Sequence, residues 1–308
     1  MPTGITLGAG ITLGGGIGMG PTPTLVFSLD ADTYDNATTD PQQNVSGTSD
    51  NVGFFPYAWP AYSVIQPGWT CVQTGAVVTA VGDGVTNLTI TTVGTPFTSG
   101  DSYTFTSANT WYDSVANIPV ILYNGVTLSG SGGNSLSFTS TSSQYGQSTT
   151  SLPATLSTWT IEAWHYYDGT NVGASPCILT QVFPGTTSTI NYALGSLNDD
   201  TPNIQSGFYN GGWTQTPTGY ALTSGNWYQI VGTYDGYNSR LYVNNTVVTQ
   251  AAGSGTPVSS TGDILLMKRW DYTEYWGGKL GIVKIYEGAM NALGVATSWN
   301  ANKARFGL

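Results

Sequence analysis

The sequence predicts an all-β chain: a two-sheet antiparallel sandwich with a small inserted β domain, a glycine-rich N-terminal arm and a short C-terminal helix. Three observations carry that prediction. Charged residues are 8% of the 308, against about a quarter in ordinary soluble domains, and 41 glycines and a 12% share of aromatics stand in their place. Apolar and polar residues alternate over short runs bounded by Gly, Asn and Asp, the period of a strand with one buried face. Finally, Asn226–Asn245, NWYQIVGTYDGYNSRLYVNN, is a hairpin in outline. Two alternating runs flank an Asp-Gly turn, with Leu241 and Val243 on one face and Arg240, Tyr242 and Asn244 on the other.

Residues 1–23 form the arm, with the repeat Gly4-Ile-Thr-Leu-Gly, Gly10-Ile-Thr-Leu-Gly and the weaker Gly16-Ile-Gly-Met-Gly. It has too little side-chain volume for a core of its own. It is either a strand laid on a neighbouring edge or subunit, or a flexible tail. No Lys-Ser/Thr follows these glycines, so they do not make a phosphate loop. Leu25–Asp35 reads as the first strand of the sandwich, which takes residues 24–38 and 110–308. Asp30, Asp32 and Asp35 cluster at its end and raise calcium as a candidate, although no Gly or terminal Glu completes a calcium loop.

Residues 39–109 read as the inserted β domain. An aromatic stretch (Phe54 to Trp69) precedes three strand-like runs, Ala76–Val81, Leu88–Val93 and Ser102–Thr106. The aromatics are either its mini-core or a glycan platform. Beyond it, strands are expected at Ser135–Phe138, Thr158–Tyr167, Cys177–Phe183 with Thr189–Leu194, Ile204–Tyr209, the hairpin, Asp263–Met267 and Gly281–Tyr286. A helix over Ala292–Arg305, capped by Asn291, closes the chain.

The net charge of −10 argues against nucleic acid and anionic membranes as partners. Cys71 and Cys177 read as separate buried thiols rather than a disulfide framework. Met1–Gly20 lacks the basic start and apolar run of a signal peptide, and no stretch approaches the roughly 20 apolar residues of a membrane helix.

Several pieces, in order, resemble the laminin-G-like jelly rolls of the concanavalin A-like superfamily: Leu25-Val-Phe-Ser-Leu-Asp-Ala, Trp111-Tyr112-Asp113, Ser135-Leu-Ser-Phe, Trp159-Thr-Ile-Glu-Ala-Trp, the Trp227–Asn244 hairpin and Gly281-Ile-Val-Lys-Ile-Tyr. The ending, Ala289-Met-Asn-Ala and Ser298-Trp-Asn-Ala-Asn-Lys-Ala-Arg-Phe-Gly, is similar to a tail found in jelly-roll proteins of tailed bacteriophages. Asn245 stands where the family has Gly, a substitution that a positive-φ turn tolerates. The resemblance implies a non-enzymatic virion structural protein, a capsid decoration or fibre-like protein assembled in the host cytoplasm. Its partners would be other virion proteins, further copies of itself and host-surface glycans. A tail-associated carbohydrate-binding adhesin and a glycoside hydrolase are the alternatives.

Glycosidases of this superfamily resemble one another in an E-x-D-x-x-E strand. Of the three glutamates, Glu162 sits on the matching strand, but no acid follows two or five positions on. Glu162 is then expected on the strand's polar face. His165, the one histidine, cannot supply a His-rich metal site and reads as a packed side chain. Asn198–Asp200 is a solvated acidic turn or part of a calcium site; no catalytic residue and no cofactor is assigned. Two aromatic clusters are candidate carbohydrate sites: Tyr209, Trp213 and Tyr220, and Trp270, Tyr272 and Trp276, the latter with Tyr275, Asp271 and Glu274 beside them.

Overall fold

A computed structural model describes residues 22–31, 39–44, 70–71, 78–81, 88–90, 102–106, 110–129, 135–152, 156–182, 189–197, 202–217, 219–253, 255–257, 262–269 and 273–308. The arm through residue 21, Asp32, Asp35, the aromatic stretch Phe54 to Trp69, Asn198–Asp200, Trp270, Asp271 and Tyr272 lie outside the described residues.

The architecture is the expected two-sheet antiparallel jelly-roll sandwich. Across the first sheet run Thr246–Ala252, Asn238–Val243, Asn226–Tyr234, Trp159–Val172 and Tyr275–Glu287, then Ser135–Phe138 and Thr127–Ser129. The first strand, Thr24–Asp30, pairs with the distal half of Tyr275–Glu287, beyond the stretch taken by Ser135–Phe138. Across the second sheet run Trp213–Gln215, Asn203–Asn210, Thr189–Gly195, Cys177–Val182, Asp263–Leu266, Tyr145–Ser148, Pro119–Tyr123 and Thr110–Tyr112. The short strand Tyr220–Ala221 joins Asn203–Asn210 as well.

Strands between residues 39 and 106 form two small sheets of their own. Thr39–Asn44, Ser102–Thr106 and Thr70–Cys71 make one, and Val78–Val81 with Leu88–Ile90 the other. The first strand meets the Trp-Tyr-Asp motif across this segment. Ser28 N–H donates to Asp113 Oδ1 at 2.6 Å, and Trp111 Nε1–H donates to the Asp30 carbonyl at 3.1 Å. Asp113, fully buried, also receives the amides of Val115 and Ala116, so its charge is met by three N–H donors.

With few Leu and Ile available, aromatics fill the space between the sheets. Phe27, Trp111, Phe138, Trp159, Tyr192, Phe208, Tyr234 and Trp276 are all within 2% of complete burial there. Each such side chain contributes roughly 1.5–3 kcal/mol or more of hydrophobic stabilisation. Gly232 lets the sheets close at one point, since a Cβ there would collide with the Ser206 side chain of the opposite sheet.

The Asp235 turn is built as its sequence predicts. Asp235 Oδ1 accepts the amides of Tyr237 and Asn238, and Arg240 donates to Oδ2 at 2.7 Å. The next turn puts Asn244 and Asn245 at φ 48° and 63°, so Asn245 does take the left-handed geometry of the glycine it replaces. The helix spans Ala292–Asn302, and Asn291 caps it by accepting the Gly294 amide at 3.0 Å. Cys71 and Cys177 are both buried.

Candidate functional site

The helix and the turn after it cover the outer face of the first sheet. Strand Trp159–Val172 sends Trp159, Ile161 and Ala163 inward, so Thr160, Glu162 and Trp164 face outward. Trp164 is nevertheless fully buried, stacked on Phe306 at 4.8 Å and on Trp299 at 5.6 Å. Beside it Val295 closes over Val231 and Tyr242. Glu162 is therefore on the face opposite the core, as expected, but is completely buried there. Its Oε1 accepts from Trp164 Nε1 at 2.8 Å, Gln229 Nε2 at 2.9 Å and Ser298 Oγ at 2.6 Å. Arg305 reaches back to Asp30 at 2.7 Å and ties this cover to the first strand.

His165 faces inward on the same strand and is fully buried. One ring nitrogen, Nε2, accepts the Trp276 indole N–H at 3.0 Å, which fixes the proton on Nδ1, 3.1 Å from the Lys279 carbonyl. Burial pushes its pKa down to about 3, outweighing the opposing pull of that carbonyl. It is a packed histidine, as its isolation in the sequence suggested.

The first aromatic cluster divides. Tyr209 and Trp213 face each other across a tight turn, edge to face at 5.5 Å, both half-buried on the outer side of the second sheet. Gly211 and Gly212 in that turn have open space where a side chain would stand, and Gln215 holds a buried Oε1 without a partner among the described residues. Tyr220 pairs at the other end of strand Asn203–Asn210 and packs on the inner core, edge-on to Tyr228 at 6.4 Å. It does not join the pair.

The second cluster is corrected at Trp276. This residue lies in strand Tyr275–Glu287, fully buried between the sheets, with its indole bonded to His165; its ring faces are core surface and no saccharide can stack on them. Its neighbours Trp270 and Tyr272 are outside the described residues, and Glu274 is held by Arg269 at 3.2 Å and by the Ser175 amide at 2.7 Å.

A third group went unnoticed in the sequence because its members come from separate strands. Tyr123 and Tyr145 are cross-strand partners stacked at 4.6 Å, and Tyr275 lies 6.1 Å from Tyr145. The ammonium of Lys268 sits 4.1 Å from the Tyr145 ring centroid and 6.0 Å from that of Tyr275. Burial pushes the Lys268 ammonium down and the Tyr145 phenol up to about 12. The only advance signal was the adjacency of Lys268 and Arg269 in a chain with seven Lys and Arg.

A depression of about 310 Å³ also opens between the hairpin and the helix start, lined by Asp235, Arg240, Tyr242 and 289–292. Its charges are already spent on each other, with Arg240 bonded to Asp235 and to Gln250 at 2.9 Å. Among the described residues no group of His, Cys, Asp or Glu is placed to hold a metal ion.

A laminin-G family model described as the concanavalin A-like lectin/glucanases superfamily matches residues 123–296, more than half of the chain. The binding domain of a paraclostridial mosquitocidal protein matches with TM-score 0.50 and 14% identity, over 63% of this chain and 50% of that one. Domain 4 of a GH43 extracellular arabinanase from Geobacillus stearothermophilus, solved with arabinotriose, matches at 0.49 and 14%, over 60% and 90%. The botulinum neurotoxin type G receptor-binding domain matches at 0.48 and 13%, over 62% and 48%, so the aligned region spans about half of either toxin domain. At 14% identity the likeness to the mosquitocidal binding domain speaks for fold alone. No curated protein sequence matches the chain.

Proposed function

The chain belongs to the concanavalin A-like lectin/glucanase superfamily, and from that premise we propose that it is a non-enzymatic structural protein of a tailed-bacteriophage virion. In this reading it is a capsid decoration or fibre-like protein, adhering to neighbouring subunits and touching host-surface glycans. The observation that carries the non-enzymatic part is the state of Glu162. A retaining glycosidase needs two carboxylates about 5 Å apart with substrate between them. Glu162 lies beneath a helix, with its Oε1 already accepting from three side chains. Asp30, Asp113, Asp168, Asp235, Asp263 and Glu274 are likewise each engaged by hydrogen bonds or ion pairs.

The virion setting is supported by the phage-like ending. That ending supplies the cover over the first sheet, so its resemblance falls on residues with a structural task. Glycan contact is supported by Trp213 and Tyr209 at an open turn. Quantitative proteomics of purified particles tests the setting: stoichiometric copies are expected, and absence from the particles would overturn it. A glycan array tests the contact, with saturable signals expected to fall on Trp213→Ala; uniformly flat signals would remove it. The Trp213 tip also favours a second reading, a tail-associated adhesin, which immunogold labelling of the tail rather than the head would select.

A further inference from the structure

The cationic face of the Tyr123–Tyr145 pair has a chemistry that a neutral saccharide does not satisfy. All seven Lys and Arg residues lie at or after position 240, and each of the three arginines is bonded to an acid: Arg240 to Asp235, Arg269 to Glu274, Arg305 to Asp30. Lys268 is half-buried, and among the described residues it makes no ion pair. Among the described residues its ammonium meets the ring faces of Tyr145 and Tyr275. Burying an ammonium without a counter-charge is unfavourable, and the downward pull of burial on Lys268 reports that here.

The backbone holds the lysine in this position. Met267, unbranched and fully buried, sits at φ 60°, a conformation that costs free energy outside glycine. Its amide donates to the Ile178 carbonyl at 2.9 Å and its carbonyl accepts the Trp276 amide at 3.0 Å, which fixes the kink from both sides. The kink leaves Lys268 on a single bridge to Tyr275 and swings its side chain across Tyr145. The hydroxyls of Tyr123, Tyr145 and Tyr275 make no hydrogen bond to protein among the described residues. Asp263, the acid that faces Tyr123, is occupied by Gln147 Nε2 at 2.7 Å.

We infer that Lys268, with Tyr123, Tyr145 and Tyr275, binds the carboxylate of an acidic saccharide. This deepens the glycan-contact reading and rests on it. The carboxylate supplies the charge that Lys268 lacks, the sugar hydroxyls meet the free phenols, and the stacked tyrosines form the wall. The recognised chemistry is a sugar carboxylate, whether from a uronic-acid polymer or from a sialylated chain.

The test titrates the full chain at low salt with trigalacturonate, with a sialylated trisaccharide and with their neutral counterparts, following tyrosine and lysine side-chain signals by NMR. At least one acidic ligand is expected to bind, more weakly as salt rises. Lys268→Met should weaken that binding at least tenfold with a melting temperature no lower than the parent's, Lys268→Arg should retain most of it, and Tyr145→Phe should weaken it several-fold. Whichever acidic ligand responds identifies the source. Acidic and neutral sugars bound alike, or Lys268→Met binding as the parent does, would overturn the inference and leave the glycan-contact reading standing. Loss of response to every saccharide, here and on the array, would overturn both.

Discussion

His165 offers a sharp test of the buried architecture, because it is the only histidine in the chain. Its pKa is about 3 in the folded protein, against 6.5 for a free imidazole, because burial disfavours the charged form. The unfolded chain therefore takes up the proton first as pH falls. Stability is fully present above pH 6.5 and declines as pH drops from there towards about 3. Each unit is equivalent to about 1.4 kcal/mol, so at pH 5 the loss is roughly 2 kcal/mol relative to pH 8. The comparison that isolates it is His165→Gln, whose amide oxygen can still accept from Trp276 and whose NH₂ can still donate to the Lys279 carbonyl. Urea unfolding at pH 8 and pH 5, followed by tryptophan fluorescence, measures both proteins. The parent should lose about 2 kcal/mol more than His165→Gln over that interval. Equal losses would refute the reasoning, since the carboxylates that also titrate there are common to both.

Three further outcomes follow from the packing. Trp276→Ala should lower stability by about 3–5 kcal/mol, as removal of a fully buried indole does, whereas half-buried Trp213→Ala should change the unfolding midpoint little and act on glycan binding instead; denaturant titration of the two variants checks this. Deleting Ala292–Leu308 should uncover Trp164, Ile282 and Val231 and leave Glu162 without Ser298, so the truncated chain should bind a hydrophobic dye and aggregate; light scattering and dye fluorescence would show it. Asp235→Asn should change stability by less than about 1 kcal/mol despite its ion pair with Arg240. Burial tends to raise that carboxyl, but the Asn238 amide, Arg240 and the Tyr237 amide hold it below its ordinary value in a partly solvated turn; thermal unfolding measures the effect.

Where sequence and structure agree, the information is local. The Asp-Gly turn, the alternation of Leu241 and Val243 with Tyr242, and the Asn291 cap are each set by a few adjacent residues, and each appears as expected. The differences arise where a residue's setting depends on distant chain. The last strand was expected from Gly281, yet it begins at Tyr275. Gly277 and Gly278 fall within its added length, and Gly278, at φ 127°, lies where a Cβ would strike the Tyr166 carbonyl. They permit close strand contact, and the strand they extend carries Trp276 into the core. Glu162 makes the same point: alternation shows which residues share a face but not what covers it, and the cover comes from Ser298, more than a hundred residues away. Tyr123, Tyr145 and Lys268 show the limit more fully, since strand pairing and one kink at Met267 bring them together from separate segments. A candidate ligand site in such a sandwich is therefore found by asking which cation is held against aromatic rings without an acid beside it. Each arginine has its acid and Lys279 has the Ser129 hydroxyl, whereas Lys268 lies 4.1 Å from the Tyr145 ring centroid with no ion pair among the described residues.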